Sequence, residues 1–180
     1  MGIDVEAAAR EIRGGCQALS MDELARFCGL EVALGDTQTE AETWPRGSRW
    51  QIRVHRSVSR QRARWLVGHE LAEWWLGDAL FSSLVERERV CDAIGAALVA
   101  PAPEFARAIV ALDHSVTALA QAFDVPVSLA LLRIGEVTGR PVRLLGPRPR
   151  ERGQPREDWT TGVHPVRLAG EARWGLMECR

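Results

Sequence analysis

The chain has 180 residues, 46% of them apolar, and a formal charge of −1. That is the size of one domain with a real core, and the near-neutral balance excludes a general electrostatic draw toward nucleic acid or anionic membrane. No N-terminal apolar run has signal-peptide length and no stretch approaches the roughly 20 residues of a membrane span, so a cytoplasmic globular protein is expected. Cys16, Cys28, Cys91 and Cys179 are scattered with no C-x-x-C pair, which argues against disulfides and against a cysteine-based zinc knuckle.

Val5, Ala8, Ile12 and Cys16 recur at helical spacing between Asp4 and Ala18, with Gly14-Gly15 placed to end that helix. Ser20-Met21-Asp22-Glu23 is a capping box. It opens a helix over Met21 to Phe27 that stops at Gly29, and Leu30 to Leu34 reads as a short strand. Gly35 to Gly47 is polar and turn-rich. Trp50 to His55 alternates apolar and polar residues as a half-buried strand. It is the candidate for a sheet edge that holds an extended peptide by main-chain hydrogen bonds; a plain sheet strand with no ligand is the equal alternative.

Ser57 or Ser59 can cap the next helix, which runs to about Leu76 before Gly77. Glu86 to Val99 is a helix rich in small residues, suited to close packing on its predecessor and ended by Pro101 and Pro103. Glu104 to Leu112 forms a short helix. Ser115 to Phe123 and Ser128 to Val137 form two more, joined by Asp124-Val125-Pro126-Val127. This last unit has the outline of a helix-turn-helix, but Ser128 to Thr138 offers a DNA phosphate only Arg133, set against Glu136. A structural role is expected of it, and direct nucleic-acid binding is disfavoured.

Arg140 to Leu145 is a strand candidate, and Gly146 to Asp158 is a Pro/Arg-rich stretch that cannot bury a core. Val163 to Leu168 and Ala172 to Met177 suit a hairpin around Ala169-Gly170-Glu171. The expected organisation is a domain over 1–140, a linker over 141–158 and a short extension over 159–180.

Two stretches carry chemistry. The first is Arg62 to Gly77, whose centre His69-Glu70-Leu71-Ala72-Glu73 differs by one residue from the H-E-x-x-H pattern. Residues four apart share a helix face, so His69 and Glu73 can grip one cation with Glu70 beside them as a proton acceptor. Trp65, Leu66, His69, Ala72, Glu73 and Leu76 fall on one side at 3–4 spacing. Ionisable groups on such an apolar stripe are costly unless paired or metal-bound. The second stretch is Glu88-Arg89-Val90-Cys91-Asp92, followed by Ala93 to Pro101. Glu88 and Asp92 are again four apart.

Together these stretches resemble the ImmA/IrrE metallopeptidases, whose pattern is H-E-x-x-H on one helix and E-x-x-A-[ND]-x-F-A-A-x-L-L-M-P on the next. The resemblance implies a zincin-like minimal metallopeptidase domain of α+β class, mostly helical with a small sheet, a C-terminal helical pair and a short tail. It implies His69, Glu73 and Glu88 as metal ligands, Glu70 as general base and Asp92 as the group that holds His69. Zinc is the expected metal, with Mn²⁺ or Fe²⁺ made more competitive by the carboxylate-rich set. The implied activity is an endopeptidase that cuts a helix-turn-helix transcriptional repressor. The alternative is a weakened or inactive relative that acts as a regulatory protein-binding module.

The departure is Glu73, where the family has its second histidine. Two imidazoles and one carboxylate leave a divalent cation with one net positive charge; one imidazole and two carboxylates leave it neutral, a weaker activator of water. The chain has no Tyr, so support for a developing oxyanion falls to His55, His114, His164, an Arg or the metal itself, with His114 the first candidate.

Overall fold

The computed structural model describes residues 3–16, 20–77, 81, 83–140, 142–144 and 166–168. Helix α1 (Val5–Arg13) starts where Asp4 accepts the Ala7 N–H, and it ends at Gly14, whose φ of 52° a side chain would resist. Helix α2 (Met21–Phe27) opens on the reciprocal Ser20–Glu23 capping box. Strands β1 (Leu30–Gly35), β2 (Ala41–Arg46) and β3 (Arg49–His55) follow. Ser59 then caps α3 (Arg60–Leu76), and Ser83 caps α4 (Leu84–Val99). Helices α5 (Ala102–Ala111), α6 (Val116–Phe123) and α7 (Val127–Thr138) complete the domain.

The sheet has the order β1-β3-β2, with β1 parallel and β2 antiparallel to β3. Two expectations change here. The polar stretch 35–47 contains strand β2, and β3 is the central strand rather than an edge. Pairing on both sides occupies the main chain of β3, while β1 and β2 are the edges. Pro45, which reads as a strand breaker, is tolerated in an edge strand because its missing N–H withdraws no obligatory ladder bond. Two further short strands, β4 (Val142–Leu144) and β5 (Val166–Leu168), pair antiparallel with each other. The expected linker Gly146 to Asp158 and the second hairpin arm at 172–177 lie outside the described residues.

Helix α3 runs through the middle. From Trp65 to Ala72 every residue is buried, two full turns, so the expected one-sided stripe is a helix covered all round. The core gathers Leu30, Ile52 and Val54 of the sheet with Leu71 of α3 and Ile94 and Leu98 of α4. Burying such side chains stabilises the fold by about 1.5–3 kcal/mol each. Helices α3 and α4 approach each other closely. A Cβ on Gly95 would stand 2.8 Å from the His69 backbone nitrogen, and one on Gly68 would stand 3.0 Å from the Gly95 carbonyl oxygen. Two facing glycines therefore press α4 directly onto the turn of α3 that carries His69.

Helices α6 and α7 meet at 103°, and Ser115 caps the first of them. Arg133, the basic residue expected to face DNA if any did, is 3% exposed. Its Nε donates to the Ala100 carbonyl at 2.8 Å and Nη1 to Glu136 Oε2 at 2.9 Å, and Nη2 pairs with Glu6. Among the described residues no single helix is long and apolar enough to cross a membrane.

Candidate metal centre

Helix α3 presents His69, Glu70 and Glu73, and one potential ligand atom from each falls within 4.8 Å of the others. Because α4 is held tight at Gly95, the two preceding turns of that helix bring Asp92 and Glu88 against His69. Asp92 Oδ1 lies 2.9 Å from His69 Nδ1, and Glu88 Oε2 lies 3.5 Å from Nε2. A carboxylate at Nδ1 requires a proton there. In the neutral ring, Nε2 is then the nitrogen that carries a lone pair toward Glu88.

Each carboxylate on α3 has its own anchor. The Thr43 hydroxyl of β2 donates to Glu70 Oε2 at 2.7 Å. Arg87 Nη1 of α4 lies 2.9 Å from Glu73 Oε1. On the other side of His69, the Trp65 ring sits 5.7 Å away centroid to centroid, and the Arg62 guanidinium lies 4.2 Å over that ring while pairing with Glu40.

Burial works to lower the proton affinity of His69. The hydrogen bond and charge of Asp92, with Glu70 and Glu88 behind them, outweigh it and hold the imidazole pKa above its ordinary value. For Glu70, burial is the main influence and raises the carboxyl pKa. Glu73 and Glu88 push the same way against the Thr43 hydrogen bond and His69. Cys91, next to this cluster, is pushed up to about 12, chiefly by burial and then by Glu73, so it is a neutral, inert thiol.

Four acidic side chains thus converge on one imidazole, with one guanidinium among the groups that touch them. The surplus negative charge, the lone-pair nitrogen and the mixed N/O donors suit a divalent cation. The His69, Glu70 and Glu73 group could hold one, and Glu88 meets His69 at the nitrogen a cation would use.

The structure brings His69, Glu70, Glu73, Glu88 and Asp92 together. Among the described residues no hydrogen bond or ion pair joins His114 to them. It stands exposed in the α5–α6 turn at φ 60°, its backbone N–H donating to Ile109, and its ring makes no hydrogen bond or ion pair among the described residues. His55 is held by Ser57 through Nδ1. A shallow hollow of about 610 Å³ borders His55, Ser59, Arg62 and Glu40, and none of the five converging residues lines it. Two partners escape sequence reasoning. Thr43 lies in a strand its composition hides, and Arg87 reads as one more charge on a Glu-Arg-rich helix start.

A helix bearing H-E-x-x-E, packed beside a small sheet and a second helix that supplies further carboxylates, defines a metallopeptidase-like α+β domain. The profile of the IrrE N-terminal-like domain, Peptidase_M78, matches residues 27–134, and the chain belongs to that family. Among solved structures, a Mycobacterium tuberculosis transcriptional regulator is similar in fold, with 20% identity and a TM-score of 0.59. That likeness covers 81% of this chain and 48% of the regulator, so the chain spans about half its length. No curated protein matches the chain by sequence.

Proposed function

We propose that the chain is a metal-dependent endopeptidase of the ImmA/IrrE kind that cleaves a helix-turn-helix transcriptional repressor in the cytoplasm. The observation that carries the reading is the convergence of His69, Glu70, Glu73, Glu88 and Asp92 at the α3–α4 contact. His69, Glu73 and Glu88 would hold Zn²⁺, with Mn²⁺ or Fe²⁺ as competitors for this carboxylate-rich set. When bound, the cation would supply Lewis acidity toward the peptide carbonyl and the attacking water.

The chain's own residues do the rest. Asp92 keeps the proton of His69 on Nδ1 and so orients the ring. Glu70, steadied by Thr43, takes a proton from water and passes it to the leaving amine nitrogen, the role its elevated pKa suits. The edge strand β2 touches Glu70 through Thr43, so an extended segment added along β2 would pass the site, where a bound metal would offer oxyanion support.

The second reading, a regulatory module that binds the same class of partner without cutting it, is favoured by one observation: Glu73 is engaged by Arg87. Elemental analysis of the wild type beside Glu73→Ala and Glu88→Ala tests the metal site, with about one divalent ion expected in the wild type and loss in both variants. Cleavage of a candidate repressor, abolished in Glu70→Gln, supports the protease. Stable binding of the repressor without cleavage supports the module. A wild type that takes up none of the three metals sinks the protease.

A further inference from the structure

Arg87 stands on α4 immediately before Glu88 and reaches across to α3. Nη1 holds Glu73 Oε1 at 2.9 Å, and Nη2 donates to the Gly77 carbonyl at 3.3 Å, just past the end of that helix. The pair is not a surface bridge, since the Arg87 side chain is 21% exposed and that of Glu73 31%. The Nε of Arg87 is buried with no hydrogen-bond partner among the described residues. Placing a guanidinium here is unfavourable unless a charge offsets it, and Glu73 is the carboxylate it touches. A neutral ligand at position 73 would leave that cation without its counter-charge.

A carboxylate has two oxygens with lone pairs to spare. With one of them held by Arg87, Glu73 can still offer a donor to the His69–Glu70–Glu73 cluster. We infer that Arg87 is the positioning and charge-balancing residue of the cation site: Glu73 and Arg87 act as one neutral unit. With His69 and Glu88 they then present a divalent cation with one net negative charge instead of two. The cation keeps the positive charge that a two-carboxylate set would otherwise cancel, and an H-E-x-x-E helix carries the electrostatics of a set with two neutral ligands. The inference rests on the metal-binding reading above.

The test measures Zn²⁺ and Mn²⁺ affinity of the full chain by competition calorimetry, with melting temperature read in parallel. Arg87→Gln is expected to bind either cation more tightly, by about tenfold or more, because an uncompensated carboxylate now faces it. Arg87→Lys, which keeps the charge, should stay within about threefold of the wild type. Glu73→His should bind at least about tenfold more weakly than Glu73→His/Arg87→Gln, because in the single variant Arg87 repels the cation with no carboxylate beside it. That second comparison still reads the effect if Arg87→Gln alone fails to fold, since the double variant leaves no charge unpaired.

Affinity of Arg87→Gln equal to wild type with only a lower melting temperature would make Arg87 a structural latch and overturn the inference. So would equal affinities of Glu73→His and Glu73→His/Arg87→Gln. A wild type that binds neither cation overturns the metal reading along with this one, whereas a wild type that binds while the variants keep its affinity overturns this one alone.

Discussion

Glu70 holds a carboxyl group where charge is expensive. It is 5% exposed, its neighbours on the cation side include the carboxylates of Glu73 and Glu88, and the Thr43 hydroxyl and His69 favour its ionised form. Thr43→Val keeps the shape and removes that donor. It should cost about 1–3 kcal/mol at neutral pH by urea unfolding and move the Glu70 titration, followed by carboxyl carbon chemical shift, to higher pH. An unmoved titration would show that Thr43 is a spectator.

His69 and Glu70 both bind protons more tightly in the fold than in the unfolded chain. For each, the stability contribution is complete below its unfolded pKa and is lost as pH rises through its raised folded value. The metal-free protein should therefore lose stability as pH climbs from about 4.5 through the ordinary histidine range near 6.5, seen as a lower urea midpoint at pH 7.5 than at pH 5 in chelator. The opposite slope would contradict both shifts. Cation binding at His69 Nε2 needs the second imidazole proton gone, so affinity should rise with pH and calorimetry in buffers of different ionisation heat should detect proton release.

At the scale of elements, the α3–α4 contact sets the geometry of the site. Gly95 has no Cβ to hold α4 off the His69 backbone, and that closeness brings Glu88 and Asp92, lower on the same helix, to the two nitrogens of His69. Gly95→Ala puts a methyl group 2.8 Å from a backbone nitrogen and 3.1 Å from Gly68 C and His69 Cα. Both helices are backbone there and cannot turn aside. The variant should lose about 3 kcal/mol, the upper end of overpacking costs, and retain less metal per folded protein than wild type. Full metal content in a destabilised Gly95→Ala would separate stability from site geometry. The same scale explains β2. Its Ala41 and Thr43 face inward opposite Val54 and Ile52, while Glu42 faces outward to pair with Arg53.

At the scale of the whole molecule, Arg133 joins distant parts of the chain. It ties Glu6, at the start of α1, to the Ala100 carbonyl at the end of α4 and to Glu136 of α7, and the Ala102 N–H donates to the same Glu6 carboxylate. Removing the guanidinium leaves a buried carbonyl without that donor and a part-buried carboxylate without its counter-ion. Arg133→Ala should lower stability on the order of 2–3 kcal/mol in urea unfolding. A change below about 0.5 kcal/mol would mean the network is incidental. An arginine spent this way also does not serve as a DNA contact, which agrees with the low basic content of the last helical pair.

What the sequence determined by itself is everything that short-range geometry governs. Serine and aspartate caps set the starts of α1, α2, α3, α4 and α6, prolines precede α5 and α7, glycines and prolines set most of the stops, and the four-residue spacings of His69 with Glu73 and of Glu88 with Asp92 set which side chains share a helix face. These depend on residues within a turn or two of one another, so pattern alone carries them. The tertiary structure decided what depends on distant partners: that a polar, Pro-containing stretch becomes an edge strand, that β3 is central, that Thr43 reaches Glu70, that Arg87 meets Glu73, and that His114 stays out on a turn. Strand order and cross-helix pairing arise from contacts tens of residues apart in the chain. No local propensity encodes them; they are settled when the helices and sheet pack together and each buried charge must find its partner.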